Sequence, residues 1–163
     1  PDYDAKVITG SKHMADIFEE TTAICKKPKK VSNWLMGETP RLLKEHEKEP
    51  EDIAFSAENL AKLIELVDGG VINGNVAKEV FEQIFDRNID PEKYVEEKGL
   101  KTVHDEGALR ETIEQIVADN TKSVADYHNG KEKAIGFLVG QTMKAMKGNA
   151  DPGMVHQILK EIL

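Results

Sequence analysis

The chain has 163 residues, 32% of them charged and 6% aromatic, and a net charge of −8. No stretch approaches the roughly 18 apolar residues of a membrane span, no signal-peptide pattern opens the chain, and the single cysteine, Cys25, excludes an internal disulfide and fits a reducing, cytoplasmic compartment. The acidic total argues against a simple nucleic-acid binder, and the alternating apolar runs expected of strands are missing.

Pro1-Asp2-Tyr3 is not a natural start, so the chain reads as a fragment of a longer protein. Ser11 is an N-cap for a helix over about 12–25, with Met14, Ile17, Phe18 and Thr21 on one face. Pro28 opens the next helix, which carries Val31, Trp34, Leu35, Leu42 and Leu43, and Pro40 is expected to kink or break it. Glu49-Pro50-Glu51-Asp52 reads as a polar loop. Ser56 caps a helix with Leu60, Leu63, Ile64 and Val67 inward, stopped by Gly69-Gly70. Asn73-Gly74 turns into a helix carrying Val76, Val80, Phe81, Ile84 and Phe85. Asp90-Pro91 starts a short helix that ends at Gly99.

Gly99 to Gly107 has the composition of a linker, and helices follow at about 107–118, 123–128, 132–147 and 152–162. Asp-Pro opens a short helix late in each half, which reads as two uses of one helix-start chemistry rather than a duplication. The expected architecture is all-α, with a helical domain over 1–105 and a smaller three- to four-helix bundle over 106–163.

Catalytic signals are poor. His13, His46, His104, His128 and His156 are dispersed, with no pair at metal-ligand spacing. Gly69 to Gly74 lacks the lysine and hydroxyl of a phosphate-binding loop and reads as a joint between helices. Glu19-Glu20 and Glu96-Glu97 diverge on a helix and read as solvated faces. Trp34 reads as a core anchor. Lys26-Lys27-Pro28-Lys29-Lys30 reads as a solvated loop, with RNA contact as the alternative. The residues assign no catalytic, cofactor or metal role to this chain.

Residues 130–148 carry the strongest pattern. At 100° per residue, Ile135, Leu138, Val139, Thr142, Met143 and Met146 gather on one side, and Lys133, Gly136, Phe137, Gly140, Lys144 and Lys147 on the other. Residues 131–147 hold four lysines against one acid, Glu132, so the local patch is basic although the chain is acidic. A glycine inside a helix costs roughly 1 kcal/mol against alanine. Bare backbone flanked by ammonium groups lets a bulky anionic partner approach, such as a nucleic-acid backbone. The same glycines also suit a close helix–helix crossing, with lysines lying around the neighbour. Phe137 can stack on a base or pack under the preceding helix. The residues leave both readings open.

Gly130 to Gly148, followed by Asn149-Ala150-Asp151-Pro152, resembles the C-terminal signature of the B subunits of tRNA-dependent amidotransferases, the YqeY-like tail. Asp4-Ala5-Lys6-Val7-Ile8-Thr9, Asn33-Trp34-Leu35-Met36-Gly37-Glu38 and Gly74-Asn75-Val76-Ala77-Lys78-Glu79-Val80-Phe81 resemble the helical domain before that tail. The likeness spans essentially the whole chain, in order. It departs at Met146 and Asp151, where small or amide residues are expected.

This resemblance implies the function. The family converts Glu-tRNA(Gln), and in many organisms Asp-tRNA(Asn), into the amidated form. Its A subunit releases ammonia from glutamine. Its B subunit uses ATP and Mg²⁺ in an N-terminal cradle, which these residues do not include. The chain is then expected to be a non-catalytic fragment of a ligase subunit that holds tRNA and meets the A and C subunits through the full-length protein. Lys131, Lys133, Lys144 and Lys147 are assigned to phosphates, Gly136 and Gly140 to close approach, and Phe137 to stacking. The archaeal-type E subunit, which shares the tail, and a non-catalytic protein-interaction module are the rivals.

Overall fold

The Ser11 hydroxyl accepts the Met14 N–H at 3.3 Å and starts α1, Lys12–Cys25. The structure is a computed structural model and describes residues 8–163. Asp4 to Val7, part of one family-like motif, lie outside the described residues. The described residues fall into two compact units, one up to Leu100 and one over Lys101–Leu163.

In the first unit α1 is followed by α2 (Pro28–Met36), α3 (Glu38–Glu45), a 3₁₀ turn (Pro50–Asp52), α4 (Ala57–Asp68), α5 (Gly74–Arg87) and α6 (Pro91–Lys98). Ser56, Asn73 and Asp90 cap α4, α5 and α6 with their side chains, satisfying N–H groups that a helix start leaves bare. Gly99 ends α6 at φ +63°, where a Cβ would be strained. The 3₁₀ turn replaces the expected loop because Glu49 and Asp52 cap each other's backbone.

The break between α2 and α3 falls at Gly37, three residues before Pro40. Proline cannot donate to the carbonyl four residues back, here Met36, so α2 stops there. Pro40 itself sits harmlessly in the first turn of α3. Gly37 is required at the joint, since a Cβ there would stand 2.7 Å from the Asn33 carbonyl oxygen.

The core centres on α5, whose Val80, Phe81 and Ile84 are fully buried. Phe81 meets Trp34 at 5.0 Å between ring centroids and Phe55 edge-on at 5.6 Å. Trp34 is the anchor expected of it, half-buried against this core.

The second unit comprises α7 (Glu106–Asp119), α8 (Thr121–His128), α9 (Lys133–Ala145) and α10 (Pro152–Ile162). Its core joins Leu109 and Ile113 of α7, Ile135 and Leu138 of α9, Ala150, and Val155, Ile158 and Leu159 of α10. Residues just after Gly99 are more than a linker: the Val103 N–H donates to the Asn149 carbonyl at 2.7 Å, in an isolated parallel bridge with Ala150. That bond ties Val103 to this unit. Asp105 caps α7, and Asp151 accepts the Met154 N–H at 2.9 Å to cap α10. The acid at position 151, a departure from the family pattern, therefore keeps the capping chemistry an amide would supply. The described residues are helical, with no strand beyond that bridge.

Candidate nucleic-acid interface

Helix α9 turns Ile135, Leu138 and Thr142 into the core, with Val139, Met143 and Met146 half-buried beside them. Thr142 can be fully buried because its hydroxyl donates to the Leu138 carbonyl at 2.9 Å. On the opposite side Lys133, Gly136, Phe137, Gly140 and Lys144 are all exposed. Lys131 and Lys147, just outside the two ends of the helix, are exposed as well. The structure thus brings all seven sequence-selected residues to one solvent-facing segment.

The glycines are not there for packing. A Cβ built on Gly136 or Gly140 would meet nothing within 4 Å, so no helix of this unit crosses over them. Phe137 does not pack under the preceding helix either; it is 48% exposed, one of two large apolar residues left in solvent among the described residues. A stability-only fold would place alanines and a polar residue at these three positions.

The charges have the same character. Lys133, Lys144 and Lys147 have no carboxylate in salt-bridge reach among the described residues. Lys131 and Lys133 stand at the N-terminal end of α9, where the helix dipole disfavours a cation and favours an anion. Lys131 is the exception to free charge: its ammonium donates to Asp126 at 2.9 Å. That bond holds the Asp126 carboxyl below the usual carboxylate range, with burial opposing it. Any phosphate at Lys131 must compete with Asp126, a counter-ion that sequence reading missed because the two lie on either side of a turn.

Lys147 is placed differently from the expectation. Helix α9 ends at Ala145, so Lys147 is set by a turn and not by helical spacing. It is left-handed at φ 51°, followed by Gly148 at 76°. Gly148 N–H donates to the Met143 carbonyl at 2.8 Å, and Lys147 N–H to Lys144 at 3.1 Å, which closes the helix end. Lysine at a left-handed position costs more than glycine would, and here its side chain projects into solvent.

The remaining sequence candidates stay apart. His13 bonds the Ile53 carbonyl at 2.7 Å and His128 the Leu163 carbonyl at 2.8 Å, each as a structural contact. Among the described residues no group of three or more His, Cys, Asp or Glu could hold a metal ion. No described helix is long and apolar enough to cross a membrane.

Comparison with known proteins decides the family. Residues 16–163 match the sequence model of the GatB domain. The chain belongs to the GatB domain family. It is 62% identical over 163 residues to the B subunit of the aspartyl/glutamyl-tRNA(Asn/Gln) amidotransferase of Agathobacter rectalis, covering 100% of this chain and 34% of that relative. The B subunits of the same enzyme from Lachnoclostridium phytofermentans and Thermoanaerobacter pseudethanolicus are 60% and 55% identical, with the same coverage. The chain spans about a third of the length of the curated relatives it matches.

The structure also shows how two GatB-like motifs of the first unit depend on each other. In Asn33–Glu38, Trp34 packs on Phe81, and Glu38 accepts Lys78 at 2.9 Å; both partners belong to Gly74–Phe81. Arg41, one turn after Glu38, reaches Glu38, Glu45 and Glu82 at 2.7 to 3.0 Å. These two stretches are one packing unit, so their residues are explained by the fold before any ligand is invoked. The exposed face of α9 has no such internal account.

Proposed function

We propose that this chain is the tRNA-holding part of an amidotransferase B subunit, working in the cytoplasm. It positions Glu-tRNA(Gln) or Asp-tRNA(Asn) while ATP-dependent amidation proceeds in parts of the enzyme outside these residues, with the A and C subunits as partners of the full-length protein. The observation that carries this reading is the outer face of α9, where Lys133 and Lys144, without carboxylate partners among the described residues, flank glycines that nothing in their own unit covers.

Structured RNA is read largely by shape, through phosphate and 2′-OH contacts. Lys133, Lys144 and Lys147 supply mobile ammonium groups for phosphates. Lys131 joins them by exchanging Asp126. Gly136 and Gly140 let the backbone come within contact distance of a ribose, and Phe137 offers a ring face for stacking. The names of the relatives support a B subunit over the E-subunit reading.

Charge reversal of Lys144 and Lys147 in the intact enzyme tests the reading. It raises KM for aminoacyl-tRNA and leaves glutaminase activity intact. An unchanged KM contradicts the assignment of this face.

A further inference from the structure

The chain contains two Asn-Gly steps, Asn73-Gly74 and Asn129-Gly130. In this dipeptide the glycine nitrogen can attack the asparagine side-chain carbon, because no side chain on the following residue crowds the approach. The structure gives the two steps opposite surroundings.

Asn73 is held in place. Its carboxamide oxygen accepts the Asn75 N–H at 3.1 Å and the Val76 N–H at 3.0 Å, capping α5. Gly74 is the first residue of that helix, whose Val76, Ala77 and Val80 are buried. Bringing the Gly74 nitrogen onto the side chain breaks the cap and frays a helix anchored in the core. Asn129 has no such hold. It is exposed in the turn between α8 and α9, and its carboxamide has no hydrogen-bond partner among the described residues. Gly130 is left-handed at φ 86°, which is why glycine stands there. The Gly130 N–H donates to the Tyr127 carbonyl at 2.9 Å and the Lys131 N–H to the Asp126 carbonyl at 3.0 Å, closing α8. No residue of α8 is fully buried, so this last turn opens readily and releases the Gly130 nitrogen.

We propose that Asn129 is a modification site, where deamidation places a carboxylate beside the basic outer face of α9. The Gly130 nitrogen loses its proton and attacks Asn129 Cγ; the Cγ–Nδ2 bond breaks and ammonia leaves, giving a succinimide. Water then adds to one of the two ring carbonyls and opens the ring. Opening at Cγ gives aspartate, and opening at the main-chain carbonyl gives isoaspartate, with the chain rerouted through the side chain. The net change is water in and ammonia out, with nothing oxidised or reduced. The new carboxylate stands two residues before Lys131 and four before Lys133, so it offsets positive charge on the face assigned to phosphates. This effect on RNA rests on the tRNA-holding reading; the modification site does not.

Two measurements on the full chain test this. In the first, the chain is held in warm, mildly alkaline buffer, and the peptides containing Asn73 and Asn129 are followed by mass, with released ammonia as a second readout. Conversion is expected roughly tenfold or more faster at Asn129 than at Asn73, since a surface turn opens far more often than a helix start anchored in the core. In denaturant the two rates are expected to converge. Equal rates in the folded chain, or faster loss at Asn73, overturn the site, and a difference that persists in denaturant overturns its structural cause. In the second, the affinity of Asn129→Asp for uncharged tRNA is titrated against salt beside Asn129→Ser and Lys144→Glu/Lys147→Glu. The aspartate is expected to lower the slope of log K against log salt by about one, and the serine to leave it unchanged. An unchanged slope in Asn129→Asp, with the lysine reversals lowering it, overturns the effect on RNA and leaves the α9 reading standing. No change in either overturns the α9 reading and the effect on RNA together.

Discussion

Lys78 donates to Glu38 at 2.9 Å and joins the start of α3 to α5. The bond holds the Glu38 carboxyl below its ordinary value, with burial opposing and Arg41 adding to the effect. A carboxylate whose folded pKa is lowered contributes stability above its unfolded pKa and loses it as pH falls through the folded value. The gap in melting temperature between the native chain and Glu38→Gln is therefore expected to be full at pH 6 and to close on acidification below about 4.3, the ordinary glutamate value. The group is partly exposed, so the contribution is about 1 kcal/mol or less. Melting curves from pH 3 to 6 check it; a gap that does not change with pH contradicts the ion pair.

Gly37→Ala and Gly136→Ala are expected to move stability in opposite directions. At Gly37 the new methyl meets a backbone carbonyl at 2.7 Å, so the α2–α3 joint must shift, at about 1–3 kcal/mol. At Gly136 nothing lies within 4 Å. Alanine there stabilises α9 by about 0.5–1 kcal/mol while crowding the surface assigned to RNA. Denaturant unfolding and tRNA affinity, measured on the same preparation, separate the two. A Gly136→Ala chain that gains stability and keeps full tRNA affinity would remove the functional reason for that glycine.

Lys147→Gly extends the logic to the helix end. Relief of the left-handed lysine is expected to stabilise the chain by about 1 kcal/mol, and loss of the ammonium to weaken tRNA binding at low salt. Thermal unfolding and filter binding report the two effects separately. Destabilisation would show that the lysine side chain, and not its charge toward a ligand, matters at this turn.

Asp151→Ala is expected to cost about 1 kcal/mol through loss of the α10 cap, and Asp151→Asn much less, because an amide oxygen can still accept the Met154 N–H. Equal losses in the two variants would contradict the capping role.

Local chemistry made much of this fold legible in the sequence. Ser11, Ser56, Asn73, Asp90 and Asp151 each announce a helix start by a side-chain oxygen placed to take a free N–H, and each does so in the structure. The faces of α9 were legible because a 3.6-residue period separates Leu138 from Phe137 by one step of the wheel. Features that depend on distant partners were not. Pro40 signals a break, but its place at Gly37 follows from the carbonyl four residues earlier and from the Asn33 oxygen. Val103 looks like linker until Asn149, 46 positions on, supplies its acceptor. Lys131 carries a plain positive charge in the sequence and a counter-ion in the structure. Lys147 left the helical wheel because two left-handed residues end α9 early.

The most direct measurement is the salt dependence of tRNA affinity for the native chain. Contacts from Lys131, Lys133, Lys144 and Lys147 are expected to give log K falling against log salt with a slope of about −3 or steeper, at somewhat under one unit per phosphate. Reversing Lys144 and Lys147 is expected to remove about two units of that slope. A slope near zero, or one that the reversal leaves unchanged, would contradict an RNA-binding role for the outer face of α9.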